Sequence, residues 1–316
     1  MFPNVTHNLA VSLCAIIVFL AIAHILVFII AFLNKDKDYT NLKLRMRSWW
    51  IITFFLMFIF LGNKPVQYCS IALLCFLALK EFFSFIKIDL SDRSLLFWAY
   101  LAIPVEMYFL YTKWVIMFYL FVPLYMFLLI PIRRILSGDT HDFIRVTGLI
   151  QWGMLLTVYS LGYLGAFLML PIVHPSPYQF SGLEVLLYLL ILNSLNDAFQ
   201  YVWGKLFGKH KIVPTISPNK TWAGYIGGLL TTMLIAYFIA PFLTPFTWQF
   251  AVLSGFIIAS FGFLGDVCMS AVKRDVGVKD SSTLIPGHGG VLDRVDSLIF
   301  SAPIFFHFFC YFFQHI

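Results

Sequence analysis

Charge is the scarcest property of this sequence. Asp, Glu, Lys and Arg make up only 11% of its 316 residues, against about 25% in an ordinary soluble domain. That shortage excludes a fold built around a single aqueous core. Cysteine is thin as well. Cys14, Cys69, Cys75, Cys268 and Cys310 include no CxxC pair, and four of them sit inside apolar runs. A disulfide framework and a zinc site are therefore excluded, and the thiols read as small buried hydrophobes. The N-terminus, MFPNVTHN, lacks the basic stretch and small-residue cleavage site of a secretory signal, so the first apolar run reads as a retained span. No internal repeat, low-complexity tract or linker interrupts the chain. What the sequence has in excess is apolar surface: 61% hydrophobic residues, 19% aromatic residues and a mean hydropathy of +0.89. The net charge of +6 has no polar domain on which to meet nucleic acid, so nucleic acid is not an expected partner.

These proportions predict an all-α polytopic membrane protein surrounded by membrane lipids. A membrane helix needs about 20 mostly apolar residues, each rising about 1.5 Å across a hydrocarbon core of about 30 Å. Ten stretches qualify: 9–33, 49–63, 66–86, 94–111, 114–132, 147–171, 183–203, 221–243, 246–267 and 295–314. The second is short and close to the third, which leaves nine spans with a re-entrant segment as the alternative. The loops after the odd-numbered spans hold 18 of the 21 Lys and Arg residues. By the positive-inside rule those loops are cytoplasmic and both termini lie outside. The chain reads as one membrane domain, 1–316. Residues 1–146 are mainly structural helices, and 147–316 carry the catalytic helices and loops. The bacterial inner membrane is the expected location, or the endoplasmic reticulum in a eukaryote.

The ionisable residues gather where the apolar runs break. Along the end of the ninth span, Asp266, Ser270, Lys273 and Arg274 are spaced i, i+4, i+7 and i+8, on one helical face. A carboxylate, a hydroxyl and two cations on one stripe suit a metal–phosphate complex, with the carboxylate on Mg²⁺ and the cations on phosphate oxygens. Lys279 and Asp280 follow. Then comes Pro286-Gly287-His288-Gly289-Gly290, where glycines let backbone N–H groups approach an anion. Asp293, Arg294 and Asp296 open the tenth span, the two acids at i, i+3 sharing a face. Taken singly, Asp293 could be a helix cap, Lys273 and Arg274 membrane-surface anchors, and the glycine run a turn. Their coincidence at one membrane surface favours a site. Asp266 also needs a partner if it lies below the interface.

A second polar stretch runs from Asn193 to Gly224. Asp197, inside the seventh span, is either a metal or nucleotide contact or a polar group bonded between helices. Lys209 stands in a small basic turn. Ser217, Lys220 and Thr221 lead into the eighth span, where the hydroxyls either cap the helix or bind phosphate beside the Lys220 charge. Glu81 and Glu106, in or near apolar spans, read as inter-helix hydrogen-bonding groups, with a role in lipid binding as the alternative.

These motifs resemble the phosphatidate cytidylyltransferase (CDP-diacylglycerol synthase) family. The family's signature S-x-x-K-R-x4-K-D-x5-P-G-H-G-G-x2-D-R-x-D is complete from Ser270 to Asp296. The upstream Ser217-Pro218-Asn219-Lys220-Thr221 matches the family's SPxKT. The resemblance covers about 190–300; two departures are Ala223, where the family usually has Glu, and Gln200, where a small residue is usual. It implies a Mg²⁺-dependent nucleotidyltransferase with CTP and phosphatidate as partners and a homodimeric assembly. In that reading Asp266, Asp293 and Asp296 hold Mg²⁺, with K⁺ as a candidate second cation. Lys273, Arg274, Lys279 and Arg294 neutralise phosphate, and Ser270 and Ser217 orient it. Asp280 and His288 belong to the catalytic signature. Asp197, Lys209, Lys220, Thr221, Gly287, Gly289 and Gly290 contact substrate. The alternatives are transfer to another anionic lipid, a lipid kinase, and a non-enzymatic nucleotide- or lipid-binding membrane protein.

Overall fold

The computed structural model describes residues 6–33, 39–86, 93–136, 138, 141–171, 180–282, 284–285 and 289–313. Among them are ten helices long and apolar enough to cross a membrane. In chain order these are α1 (His7–Leu33), α2 (Thr40–Leu61), α3 (Lys64–Phe85), α4 (Arg93–Tyr111), α5 (Val115–Leu136), α6 (Phe143–Met169), α7 (Gly182–Phe207), α8 (Trp222–Leu243), α9 (Trp248–Asp275) and α10 (Leu292–Phe313). A two-stranded antiparallel ribbon, β1 (Lys211–Val213) with β2 (Ser217–Thr221), joins α7 to α8.

The second segment, short by hydropathy, is a continuous helix of 22 residues, which brings the helices of spanning length among the described residues to ten. Its first turns, TNLKLRMR, are too polar for lipid but good helix formers, so the helix starts well before its apolar run. In the same way α9 continues past the apolar limit at 267 to Asp275, which keeps Ser270, Lys273 and Arg274 on regular helix. The ribbon was not foreseen. It closes through the turn at Pro214, with Ile216 N donating to the Val213 carbonyl (3.2 Å).

The helix ends have local causes. Ser181 and Glu184 form a capping box at the start of α7. Thr221 caps α8, its hydroxyl accepting from Gly224 N at 3.1 Å. Here α7 and α8 touch backbone to backbone: a Cβ at Gly224 would stand 2.7 Å from the Gln200 carbonyl oxygen and 3.1 Å from the Gly204 Cα. This close approach sets the width of the gap between the two helices at the ribbon end.

The helices α6, α7 and α10 are the most enclosed, whereas α1 turns most of its apolar side chains outward, as a lipid-facing helix does. Two wide π-turns, Phe121–Met126 in α5 and Leu155–Tyr159 in α6, lie within the bundle. Pro123 removes one backbone donor from the first, and Gln151 of α6 donates to the Val122 carbonyl there (2.9 Å). Glu106 departs from the sequence expectation. It is fully buried, and among the described residues neither carboxyl oxygen has a hydrogen-bond partner. A Cβ at Gly162 would stand 3.9 Å from the Glu106 Cγ.

Candidate active site

The polar residues converge at one end of the bundle, where α7 and α9 finish, α8 and α10 begin, and α3 ends. Four carboxylates stand there. Asp197 comes from α7, Asp266 from α9, and Asp293 and Asp296 from the first turns of α10. That helix opens with a single turn, Leu292–Val295, and resumes at Leu298 after Asp296 and Ser297.

Lys273 is the centre of one half. Its Nζ donates to Asp293 Oδ1 at 2.8 Å and stands 3.7 Å from Asp296 Oδ2. The i, i+3 spacing of the two acids lets one ammonium serve both. Asp293 Oδ2 also accepts from Ser281 N (2.9 Å) and Gly290 N (3.0 Å), folding the preceding loop around the carboxylate. Gly289, at φ +82°, makes the return of that loop; a Cβ there would stand 2.7 Å from Asp293 Oδ2. Only glycine takes this conformation without strain.

The other half centres on Asp266. Lys220 Nζ, from the end of β2, reaches its Oδ2 at 2.5 Å and lies 4.6 Å from the Phe263 ring centre. Ser270 Oγ donates to Asp266 Oδ1 at 3.3 Å, as the i, i+4 spacing requires. Beneath lies a hydrogen-bonded chain: Asn193 Nδ2 donates to Ser297 Oγ (2.7 Å), which donates to Asp197 Oδ2 (2.9 Å). Ser297 N donates to Asp296 Oδ1 at 2.9 Å, so one residue connects both halves. The charges of Asp266, Asp197 and Asp293 act on Asp296 together with that of Lys273, and Arg294 acts on Asp197.

A cleft of about 200 Å³ opens between α7, α8 and α9, lined by Asp197, Gln200, Ser217, Asn219, Lys220 and Asp266, among others. Thr221 lines it too, but its hydroxyl is spent on the cap. The floor is acidic, and one rim carries the only partly exposed Lys220 ammonium. Such a concavity suits a polyphosphate whose charge is shared between cations.

The expected residues fall into three groups. Asp197, Ser217, Lys220, Asp266, Ser270, Lys273, Asp293 and Asp296 are drawn together, with Gly289, Gly290 and the exposed Arg294 beside them. Lys209, Lys279 and Asp280 are exposed and do not line the cleft, because their turns project beyond the helix ends. Arg274 is also exposed, and its guanidinium is used structurally, with Nε donating to the Ile216 carbonyl (3.2 Å) and Nη1 to that of Val278 (3.3 Å). Gly287 and His288 lie outside the described residues.

Among the described residues, no group of three His, Cys, Asp or Glu side chains converges as a metal-binding set. Asp266, Asp293 and Asp296 are instead parted by Lys220 and Lys273. The physical reason is that a carboxylate in a low-dielectric setting draws in the nearest cation. The donor chemistry nevertheless fits a hard divalent ion. Four carboxyl groups stand beside only two bonded ammoniums, and their oxygen donors are the type Mg²⁺ prefers.

The sequence pattern does not mark out Ser281, Ser297 or Asn193; for Glu81 it gives a structural hydrogen-bonding role between helices, and the carboxylate has one. Glu81, near the end of α3, accepts from the Ser281 and Ser282 hydroxyls and from Val291 N and Leu292 N. Its signal in the sequence was visible, a lone acid near the end of an apolar run, but its partners were not.

Fold and site together define a multi-pass membrane protein with a polar cleft, lined by Asp197, Asp266 and Lys220, at one end of its helical bundle. A family model described as the cytidylyltransferase family matches residues 43–312, and the chain belongs to that family. It is similar to an uncharacterised protein, YnbB, of Escherichia coli K12, 39% identical over 271 residues that cover 86% of this chain and 88% of that one. A phosphatidate cytidylyltransferase of Haemophilus influenzae is 43% identical over 152 residues, 46% of this chain and 53% of the relative. A phosphatidate cytidylyltransferase of Staphylococcus aureus is 43% identical over 125 residues, covering 39% and 48%. The match thus spans about half the length of the relatives bearing that name.

Proposed function

We propose that this protein transfers the cytidylyl group of CTP to phosphatidate, giving CDP-diacylglycerol and diphosphate at the cytoplasmic face. The observation that carries this reading is the cleft, where Lys220 and Asp266 meet beside the Lys273–Asp293–Asp296 cluster at the end of a membrane-spanning bundle. A water-soluble nucleotide enters from the polar end, while a lipid phosphate stays at the bilayer surface. The site is therefore reachable by both.

The chemistry asks little of the protein beyond placement and charge. An oxygen of the phosphatidate phosphate forms a bond to the α-phosphorus of CTP, the bond to the bridging oxygen breaks, and diphosphate leaves with that electron pair. The nucleophile is already anionic, so no general base is required. Lys220 and Arg294 neutralise charge on the polyphosphate, and Ser217 and Ser270 orient its oxygens. Lys273 holds Asp293 and Asp296 in place. Asp266, Asp293 and Asp296 are the residues that would hold Mg²⁺, which supplies charge neutralisation at the triphosphate.

Gln200 stands in the wall of the cleft, where the family usually has a small residue. An acceptor exchange tests the choice of lipid. With CTP and Mg²⁺, phosphatidate should outperform ether-linked, lyso- and headgroup-extended anionic lipids in diphosphate release. A consistently faster reaction with one of the others would move the reading to that lipid.

A further inference from the structure

We propose that Glu81 is a positioning residue of the active site, holding residues 280–282 and 289–292 in register from a helix that, among the described residues, contributes nothing else to the site. The proposal rests on the cytidylyltransferase reading of the site.

Glu81 is 5% exposed, and its carboxylate is saturated from one source. Its Oε1 accepts from Ser282 Oγ (2.7 Å) and Val291 N (2.9 Å), and its Oε2 from Ser281 Oγ (3.0 Å) and Leu292 N (2.8 Å). All four donors belong to the segment that leads from α9 into α10. Two of them are backbone N–H groups at the start of α10, which lack partners within their own helix. Glu81 thus serves as a cap supplied from another span.

The same segment supplies the two backbone donors to Asp293, from Ser281 and Gly290. Asp293 in turn fixes Lys273, and Lys273 reaches Asp296. A chain of direct bonds therefore runs from α3 to the acidic cluster. Gly290 shows how closely the parts are fitted: a Cβ there would stand 2.8 Å from Glu81 Cδ. Glu81 forms no ion pair among the described residues, so its charge is balanced by these four donors.

Glutamine at this position keeps the size but turns an amide N–H₂ toward one serine hydroxyl, which can accept from it, and one backbone N–H, which cannot. The loop then loses one of its four bonds and gains a repulsion at that backbone N–H. Misplacement of a reacting group by about 1 Å can cost about 100-fold in rate.

The test uses the full-length protein in detergent with lipid, comparing wild type, Glu81→Gln and Ser282→Ala. Turnover, KM for CTP, melting temperature and the rate of tryptic cleavage after Lys279 are measured together. The expected result for Glu81→Gln is a fall in kcat of about 100-fold, with a much smaller change in KM and faster cleavage after Lys279. Ser282→Ala, which removes the bond to Glu81 and the exposed bond from Leu284 N and leaves the carboxylate in place, should lower kcat about three- to tenfold at an unchanged melting temperature. Wild-type kcat and wild-type cleavage in both variants would overturn the proposal. So would a loss of activity in Ser282→Ala matched only by a lower melting temperature. If the wild-type protein transferred nucleotide to no lipid, the cytidylyltransferase reading would fail, while the cleavage comparison would still decide whether Glu81 holds the loop.

Discussion

Lys273→Met is expected to lower stability by about 3–5 kcal/mol and to abolish transfer. Methionine preserves most of the aliphatic stem but removes the ammonium that lies between Asp293 and Asp296. Those side chains are only 7% and 12% exposed. Removing one partner of a buried pair leaves uncompensated charge, and losses of about 3–5 kcal/mol are typical. Here two carboxylates lose the same cation. The loop tied to Asp293 should loosen as well. Thermal melting in lipid nanodiscs checks the stability, and diphosphate release checks the activity. A melting temperature equal to wild type would mean that the two acids do not depend on Lys273.

Asp266→Asn should behave differently. Its side chain is 29% exposed, against 7% and 12% for Asp293 and Asp296, and asparagine keeps an oxygen on which Lys220 can donate. The fold should therefore be affected much less than by Lys273→Met. Activity should fall about 10²–10³-fold, the usual cost of removing one preorganised electrostatic group from a reacting centre. Melting curves that superimpose, beside a large loss of turnover, would separate a chemical role for Asp266 from a structural one. Near-normal turnover would remove Asp266 from the cation-binding set.

The contrast between these two residues shows what the sequence can and cannot convey. The spans were legible because a lipid core imposes its length on every crossing. Their ends were less so: α2 begins at Thr40 and α9 ends at Asp275, beyond the apolar runs, because hydropathy reports contact with lipid and not continuity of backbone hydrogen bonds. On the site side, local spacing worked. The i, i+4 relation of Asp266 and Ser270 and the i, i+3 relation of Asp293 and Asp296 both appear as shared contacts. Long-range pairing did not. Nothing in the sequence tied Lys220 to Asp266, Ser297 to Asp197, or Glu81 to a loop some 200 residues away. Arg274 shows the same limit in reverse: its place in the signature suggested phosphate, yet its guanidinium braces the ribbon and the turn after α9.

The most direct test of the central claim follows the fate of each phosphate. The purified protein is incubated with phosphatidate and Mg²⁺, once with CTP labelled at the α-phosphate and once with CTP labelled at the γ-phosphate. The account predicts α-label in the lipid phase, γ-label in released diphosphate, and neither in an Asp296→Asn variant. Label from the γ-phosphate in the lipid, with the α-label left in a soluble nucleotide, would show a kinase and contradict the account.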